Sequence, residues 1–146
     1  MIGNFEAVRY GSGMTEANEV GRPPLAWMWW IPAVVWAAGI FYLSSKQAKD
    51  LPQIDIPYLD KVVHFILYGT LSTLTFCGLR LGSARNFRVA MFLGLLIASL
   101  YGVSDEYHQR FVSGRSCDVF DWVADTLGGS VVFLAAFLRP KGPPPV

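Results

Sequence analysis

The chain has 146 residues, of which 53% are hydrophobic and 16% are charged, and its formal net charge is +1. Soluble domains carry about 25% charged residues, so the composition favours a membrane protein of one domain over a soluble protein. A net charge this close to zero excludes nucleic acid as the main partner, because there is no basic excess to neutralise phosphates.

The two ends of the chain differ in composition from its centre. Residues 1–23 are rich in Gly, Asn and Glu and do not follow the pattern of a signal peptide, so we expect a flexible cytoplasmic tail there. Residues 140–146 are rich in proline, which cannot continue a helix, and we expect a second flexible tail. Residues 24–139 are predicted to form the transmembrane domain.

Four apolar runs lie between these tails, at residues 25–44, 62–79, 89–104 and 119–138. A helix needs about 20 residues to cross a bilayer, and the first run is long enough and contains no charge. The third run needs one or two flanking residues, and the fourth fits only if its two aspartates are near one end or hidden from lipid. The sequence therefore predicts an all-α fold, an integral membrane four-helix bundle.

Basic residues predict how this bundle is oriented. With four spans, one side holds both termini and the loop 80–88, and that loop has three Arg and no acid. The basic residues of this side are Arg9, Arg22, Arg80, Arg85, Arg88, Arg139 and Lys141. The basic residues of the other side are Lys46, Lys49, Lys61, Arg110 and Arg115. Short loops rich in Lys and Arg stay inside, so both termini are predicted to be cytoplasmic.

Polar side chains recur at helical spacing near the predicted outer ends of the last three runs. Asp60, His64 and Tyr68 are each four residues apart. By the same spacing Asp105, His108 and Gln109 share one helix face, and Asp118, Asp121 and Asp125 share another. Ionisable groups within a membrane usually face the bundle interior, and interhelical hydrogen bonding is the purely structural alternative to function. The predicted polar cluster consists of Asp60, Lys61, His64, Tyr68, Asp105, Glu106, Gln109, Arg115, Asp118, Asp121 and Asp125.

Small residues predict where the helices pack closely. Glycine and alanine recur every four residues in the third and fourth runs, and this spacing predicts close helix contacts through Gly94, Ala98, Gly102, Ala124 and Gly128.

Cys77 and Cys117 are predicted to lie at opposite ends of the bundle, separated by nearly the ~30 Å bilayer core. A disulfide requires Cα atoms within about 7 Å, so we expect none.

Two kinds of chemistry could use the polar cluster. Carboxylates with a histidine suit Mg²⁺, Mn²⁺ or Zn²⁺, but no recognised ligand spacing is present, so no cofactor is predicted and a divalent metal stays an open alternative. Arg115 offers a planar fork for a phosphate or carboxylate. We expect it to face the bundle and to pair with Glu106, Asp118 or Asp121, because an unpaired buried charge is costly. No catalytic residue is assigned.

Two segments resemble the VanZ-like family of small bacterial integral membrane proteins. They are "DKVVHFILYGTL" (60–71) and "DEYHQRFVSGRSCDVFDWVADTLGG" (105–129). The family pattern is Asp-Lys-x-x-His with a following Tyr, then Asp-Glu-x-x-Gln, a loop ending in Gly-Arg, and an Asp-x-x-x-Asn-x-x-Gly helix. The matching residues are Asp60, Lys61, His64, Tyr68, Asp105, Glu106, Gln109, Arg115, Asp121 and Gly128. Asp125 stands at the usual Asn position, and a protonated Asp is the closest mimic of Asn.

The resemblance implies a multi-pass protein of the bacterial cytoplasmic (inner) membrane. It also implies a cell-envelope role linked to resistance against teicoplanin-type glycopeptide antibiotics. The favoured function is an outward-facing polar pocket for an envelope lipid or headgroup, with membrane lipids, a lipid-linked envelope precursor or a glycopeptide as partners. The alternatives are a metal-assisted hydrolase or transferase on a lipid-linked substrate, and a small transporter or proton pathway, so catalysis stays open.

Overall fold

The computed structural model describes residues 25–52, 54, 56–83 and 85–138, apart from the side chains of Val132 and Ala136. The tails expected at 1–23 and 140–146 lie outside the described residues.

Four α-helices account for most of the described chain. They are α1 (Ile31–Ser44), α2 (Leu59–Cys77), α3 (Phe87–Gln109) and α4 (Val119–Phe137). A 3₁₀ turn precedes α1 over Ala26–Trp30, and a π-helical turn continues α2 over Gly78–Gly82. The described part of the chain contains no β-strand, which confirms the all-α prediction.

The helices have the length and the surface of membrane-spanning segments. Three segments are long and apolar enough to cross a bilayer: Ala26–Ser44, Leu59–Gly82 and Phe87–Gln109. Their outer faces carry large apolar side chains, for example Val34 (63% exposed), Val35 (64%) and Leu100 (59%). Contiguous apolar surface of this extent is rare on soluble monomers. The chain is therefore a membrane protein.

Glycines let the helices approach closely. A Cβ atom at Gly69 of α2 would lie 3.0 Å from the carbonyl oxygen of Gly128 in α4, and a Cβ atom at Gly128 would collide with the carbonyl group of Phe65. On α3, a Cβ atom at Gly94 would lie 3.0 Å from the carbonyl oxygen of Ser72. The predicted small-residue faces are thus real helix contacts, and they bring α2 against both α3 and α4.

Helix α1 lies at the side of this three-helix core. Two hydrogen bonds attach it: Trp36 Nε1 donates to the Leu67 carbonyl at 2.9 Å, and the Tyr101 hydroxyl donates to the Ala37 carbonyl at 2.8 Å. The buried residues of α1 are Ala33, Ile40 and Ser44. Most of the surface of α1 therefore faces outward, away from the other helices.

The two cysteines do not pair. Cys77 is the last residue of α2, Cys117 lies in the loop before α4, and both thiols are free. This agrees with the prediction that the helix bundle separates them.

Candidate functional site

The start of α2, the end of α3 and the start of α4 meet at one end of the bundle, which we call the charged end. Lys61 holds α2 and α4 together there: its Nζ lies 2.9 Å from Asp60 Oδ2 and 2.8 Å from Asp121 Oδ1, and it also bonds Asp118 Oδ2. Asp118 caps α4, since its Oδ1 accepts from the Phe120 N–H at 2.9 Å. Hydrogen bonds from Lys61 and the Phe120 N–H hold the pKa of Asp118 below its usual range, which keeps this carboxylate ionised.

Arg115 is not the cation of this network, and the prediction that it pairs with Glu106, Asp118 or Asp121 is wrong. The Asp118 and Asp121 carboxylates are bound by Lys61 instead. Arg115 follows Gly114, whose φ of 78° turns the loop. This loop lies against the segment after α1, where the Ala48 N–H donates to the Ser113 carbonyl. Arg115 is half-buried, and its Nε has no hydrogen-bond partner among the described residues.

The deepest part of the cluster is a pair between α2 and α4. His64 Nδ1 lies 2.9 Å from Asp125 Oδ1, and the Asp125 side chain is fully buried. Asp125 fits against α3 because residue 102 is glycine: a Cβ atom there would lie 2.5 Å from Asp125 Oδ2. Tyr68 lies beyond His64, with ring centroids 6.0 Å apart, and its buried hydroxyl has no hydrogen-bond partner among the described residues. Asp125 therefore points into the bundle.

Helix α3 adds two buried carboxyl groups. Asp105 Oδ2 accepts from Gln109 Nε2 at 3.0 Å. Glu106 Oε2 accepts from the Asp118 N–H at 2.8 Å, whereas Glu106 Oε1 is buried without a partner in the described part of the chain. Both carboxyl groups face α2, which carries Lys61 and His64. The three predicted helix faces therefore meet in one polar cluster.

His108 lies apart from this cluster, although it shares a predicted helix face with Asp105 and Gln109. Its Nε2 lies 3.1 Å from Ser45 Oγ, and its ring is 4.8 Å from the Phe41 ring. It therefore connects α3 to the end of α1 and does not contact the carboxylates.

A cavity of about 440 Å³ lies beside the cluster, between α1, α2, the end of α3 and the described residues of the segment 51–59. Its polar lining is Ser44, Asp60, His64, Tyr68, Asp105, Gln109 and Arg115. Its apolar lining is Ile40, Leu43, Leu51, Pro52, Ile54, Ile56, Leu59, Val63 and Leu67. An apolar pocket with a few convergent polar groups is the usual form of a small-molecule site.

The wall that residues 51–59 contribute to this cavity was not predicted from the sequence. A signal was present, because Leu51, Ile54 and Ile56 are unusually apolar for a connection between two helices. These side chains line the cavity in the structure.

Two groups of side chains at the charged end have donor atoms close enough to share a metal ion. His64, Glu106 and Asp121 each offer one donor atom, and these atoms all lie within 4.8 Å of one another. Asp60, Asp118 and Asp121 meet the same limit, but Lys61 Nζ already contacts all three of their carboxylates. In the group of His64, Glu106 and Asp121, Lys61 Nζ contacts only Asp121.

Comparison with known proteins gives two matches of different kinds. Residues 14–139 match the sequence model of a family described as VanZ/LLP1. A Schizosaccharomyces pombe protein described as "Uncharacterized protein C11E3.10" is 32% identical over 103 residues, which cover 70% of this chain and 61% of that protein. The chain thus spans less than two thirds of this relative's length. No solved structure matches the chain.

Proposed function

Since the chain belongs to the VanZ/LLP1 family, we propose that it binds a membrane amphiphile with an anionic headgroup in the cavity at its charged end. The single observation that carries the proposal is Arg115, a cation in the cavity lining with no ion pair among the described residues. A guanidinium in such a position is suited to bind a phosphate or carboxylate through two parallel hydrogen bonds.

The walls of the cavity support an amphiphile over a free polar metabolite. Nine of the sixteen lining residues are apolar and come from α1, α2 and the connection between them, while most of the polar ones come from α2, the end of α3 and the loop before α4. A volume of about 440 Å³ is within the range of about 300–1,000 Å³ for ligand pockets. It is enough for a headgroup and the first part of an acyl or isoprenoid chain, while the rest of the chain would extend into the bilayer.

The other polar residues of the lining suit the remainder of a headgroup. Asp105 and Gln109 line the same cavity as Arg115, and Asp60 is already paired with Lys61. Carboxylate and amide oxygens accept hydrogen bonds from sugar hydroxyls or amines. A lipid-linked envelope precursor has all of these groups, and binding it would connect the chain to teicoplanin-type glycopeptide resistance in a bacterial envelope.

The proposed orientation places this cavity on the outer side of the bacterial cytoplasmic membrane. All four helices cross the bilayer in this arrangement, and both termini are cytoplasmic. Helix α4 has 19 residues, which corresponds to about 28 Å at 1.5 Å per residue and matches the hydrocarbon core. Its two aspartates, Asp121 and Asp125, are buried and hidden from lipid.

The native cysteines provide a test of this orientation. Cys117 is exposed in the loop at the charged end, so in the Cys77→Ser protein a membrane-impermeant maleimide is expected to label it in intact cells. A Ser83→Cys variant without the native cysteines is the matched control, because Ser83 lies at the opposite end and should be labelled only after the membrane is opened. Labelling of Cys117 only in opened membranes would contradict the orientation.

The role of Arg115 can be tested with lipids of known charge. Native mass spectrometry of the purified full chain with added phosphatidylglycerol or phosphatidylcholine should show a preference for the anionic lipid. Arg115→Gln is expected to reduce this preference about 10-fold or more, because a hydrogen bond to a charged group contributes about 1.5–3 kcal/mol. Arg115→Lys should restore it only in part, since an ammonium lacks the planar fork.

Arg110→Gln is the matched control for Arg115→Gln. Arg110 is an exposed arginine at the same end of the bundle, lies over the Tyr107 ring and is outside the cavity lining. Its loss should leave the preference for phosphatidylglycerol unchanged. Equal effects of the two substitutions, or no preference in the unmodified protein, would contradict binding through Arg115.

A further inference from the structure

We infer that His64, Glu106 and Asp121 bind one divalent transition-metal ion of the Mn²⁺ and Zn²⁺ class between α2, α3 and α4. Each residue comes from a different helix, and the three donor atoms lie within 4.8 Å of one another. The inference goes beyond the proposed lipid site, because Glu106 and Asp121 do not line that cavity and only His64 belongs to both.

The separation of the donor atoms suits a small ion. Three ligand atoms at about 2.0–2.2 Å from one ion are about 3.3–3.8 Å apart in tetrahedral or trigonal geometry. Donor atoms that lie within 4.8 Å of one another reach this spacing by side-chain shifts of less than about an ångström. The buried side chains of Glu106 and Asp121 are held in place, Glu106 by the Asp118 N–H before α4 and Asp121 by Lys61 Nζ of α2.

Glu106 has one buried carboxylate oxygen that accepts no hydrogen bond from the described residues. Its side chain is only 4% exposed. Oε2 is bound by the Asp118 N–H, and Oε1 is buried with no partner among the described residues. A buried carboxylate oxygen without a hydrogen bond is costly, and a bound cation would remove this cost.

His64 has the orientation of a metal ligand. Its Nδ1 is held 2.9 Å from Asp125 Oδ1, so Nε2 is the nitrogen left to bind a metal. Histidine ligands commonly donate their second ring N–H to a carboxylate, which fixes the ring and raises the basicity of the coordinating nitrogen. The fully buried Asp125 would be this outer partner.

The excess of buried carboxyl groups at the charged end also favours the binding of a cation. Four carboxyl groups are buried there: Asp105, Glu106, Asp121 and Asp125. Among the described residues, Lys61 contacts only one of them, Asp121. One imidazole nitrogen with two carboxylates favours Mn²⁺ or Zn²⁺ over Ca²⁺ and Mg²⁺, which prefer oxygen ligands alone.

The test uses the full chain in detergent micelles, stripped with a chelator and titrated with Mn²⁺ or Zn²⁺. We expect one ion per chain. For Mn²⁺, pulsed electron paramagnetic resonance should show coupling to one histidine ¹⁴N, and this signal should be absent in His64→Gln. Because the spectrum of the unmodified protein reports the ligand directly, this part of the test does not depend on how well a variant folds.

Glu106→Gln and Asp121→Asn are expected to weaken binding of the added ion about 10-fold or more, the scale found when even an outer partner of a metal site is removed. Asp60→Asn is the matched control, since Asp60 belongs only to the group that Lys61 occupies, and binding should change less than about threefold. Absence of stoichiometric binding, absence of the ¹⁴N coupling, or an equal loss in Asp60→Asn would overturn the inference. The lipid preference tested with Arg115 should persist in Glu106→Gln, so the two proposals fail separately.

Discussion

Gly128→Ala is expected to prevent α2 and α4 from packing and to abolish the folded bundle. The added Cβ atom would collide with the Phe65 carbonyl group, which is helix backbone and cannot rotate away. Overpacking with flexible side chains costs about 1–3 kcal/mol, and a collision with backbone costs more. The measurement is the loss of monodisperse protein on heating in detergent, followed by tryptophan fluorescence and size exclusion.

Gly39→Ala is the control for this substitution. Gly39 lies in α1, and no atom is within 4 Å of the position that its Cβ would occupy. Alanine favours a helix by about 1 kcal/mol over glycine, so Gly39→Ala should keep or raise the melting temperature. If Gly128→Ala melted like Gly39→Ala, the close approach of α2 and α4 would be wrong.

Asp125→Leu is expected to have the second largest effect on stability. It would leave His64 Nδ1 without its partner in the bundle interior, and an interhelical hydrogen bond in a membrane protein contributes about 0.6–2 kcal/mol. Leucine would also bring a branched side chain against Gly102, where the structure leaves little room. The same melting experiment should show a large decrease or a failure to produce folded protein.

Asp125→Asn separates the hydrogen bond from the charge. The amide oxygen of asparagine can still accept a hydrogen bond from His64 Nδ1, and the side chain has the same shape. We therefore expect folding to be retained, with a loss well below that of Asp125→Leu. An equally large loss in both variants would mean that a negative charge at position 125 is required.

Much of the fold could be predicted because an apolar run that is long enough to span a membrane has few structural alternatives to a helix. Helices α1, α2 and α4 begin and end within a few residues of the predicted runs. Helix α3 continues to Gln109, beyond the apolar run, because its last turn is buried by the polar cluster and not by lipid. Helical spacing also predicted that His64, Asp121 and Asp125 would face the interior. The positions of polar residues along one helix show which of its faces is polar, and in a membrane that face turns away from lipid.

The pairing within the site could not be predicted in the same way. Lys61 and Arg115 are both cations near the same carboxylates, and spacing along one helix does not state how far it is rotated against its neighbour. Arg115 also lies in a loop whose path depends on the turn at Gly114. The cavity wall at 51–59 was missed for the same reason, because a loop has no periodicity that assigns its side chains to a face.

The fission yeast relative affects how far family membership can be taken. That protein comes from Schizosaccharomyces pombe and is 32% identical over the matched region, whereas the resemblance in the sequence is to small bacterial membrane proteins. Any ligand chemistry that the two proteins share would concern membrane amphiphiles in general. We therefore propose an anionic amphiphile as the class of ligand, and the glycopeptide connection only for a bacterial envelope.

The attachment of α1 responds unequally to substitution. The side-chain donors Trp36 and Tyr101 bond the main-chain carbonyls of Leu67 and Ala37, and every residue type has such a carbonyl. Substitutions at Leu67 or Ala37 that fit the space therefore keep the hydrogen bond, whereas most substitutions at Trp36 or Tyr101 remove its donor. Side chains on the α1 side of the cavity can thus change without loss of these two bonds.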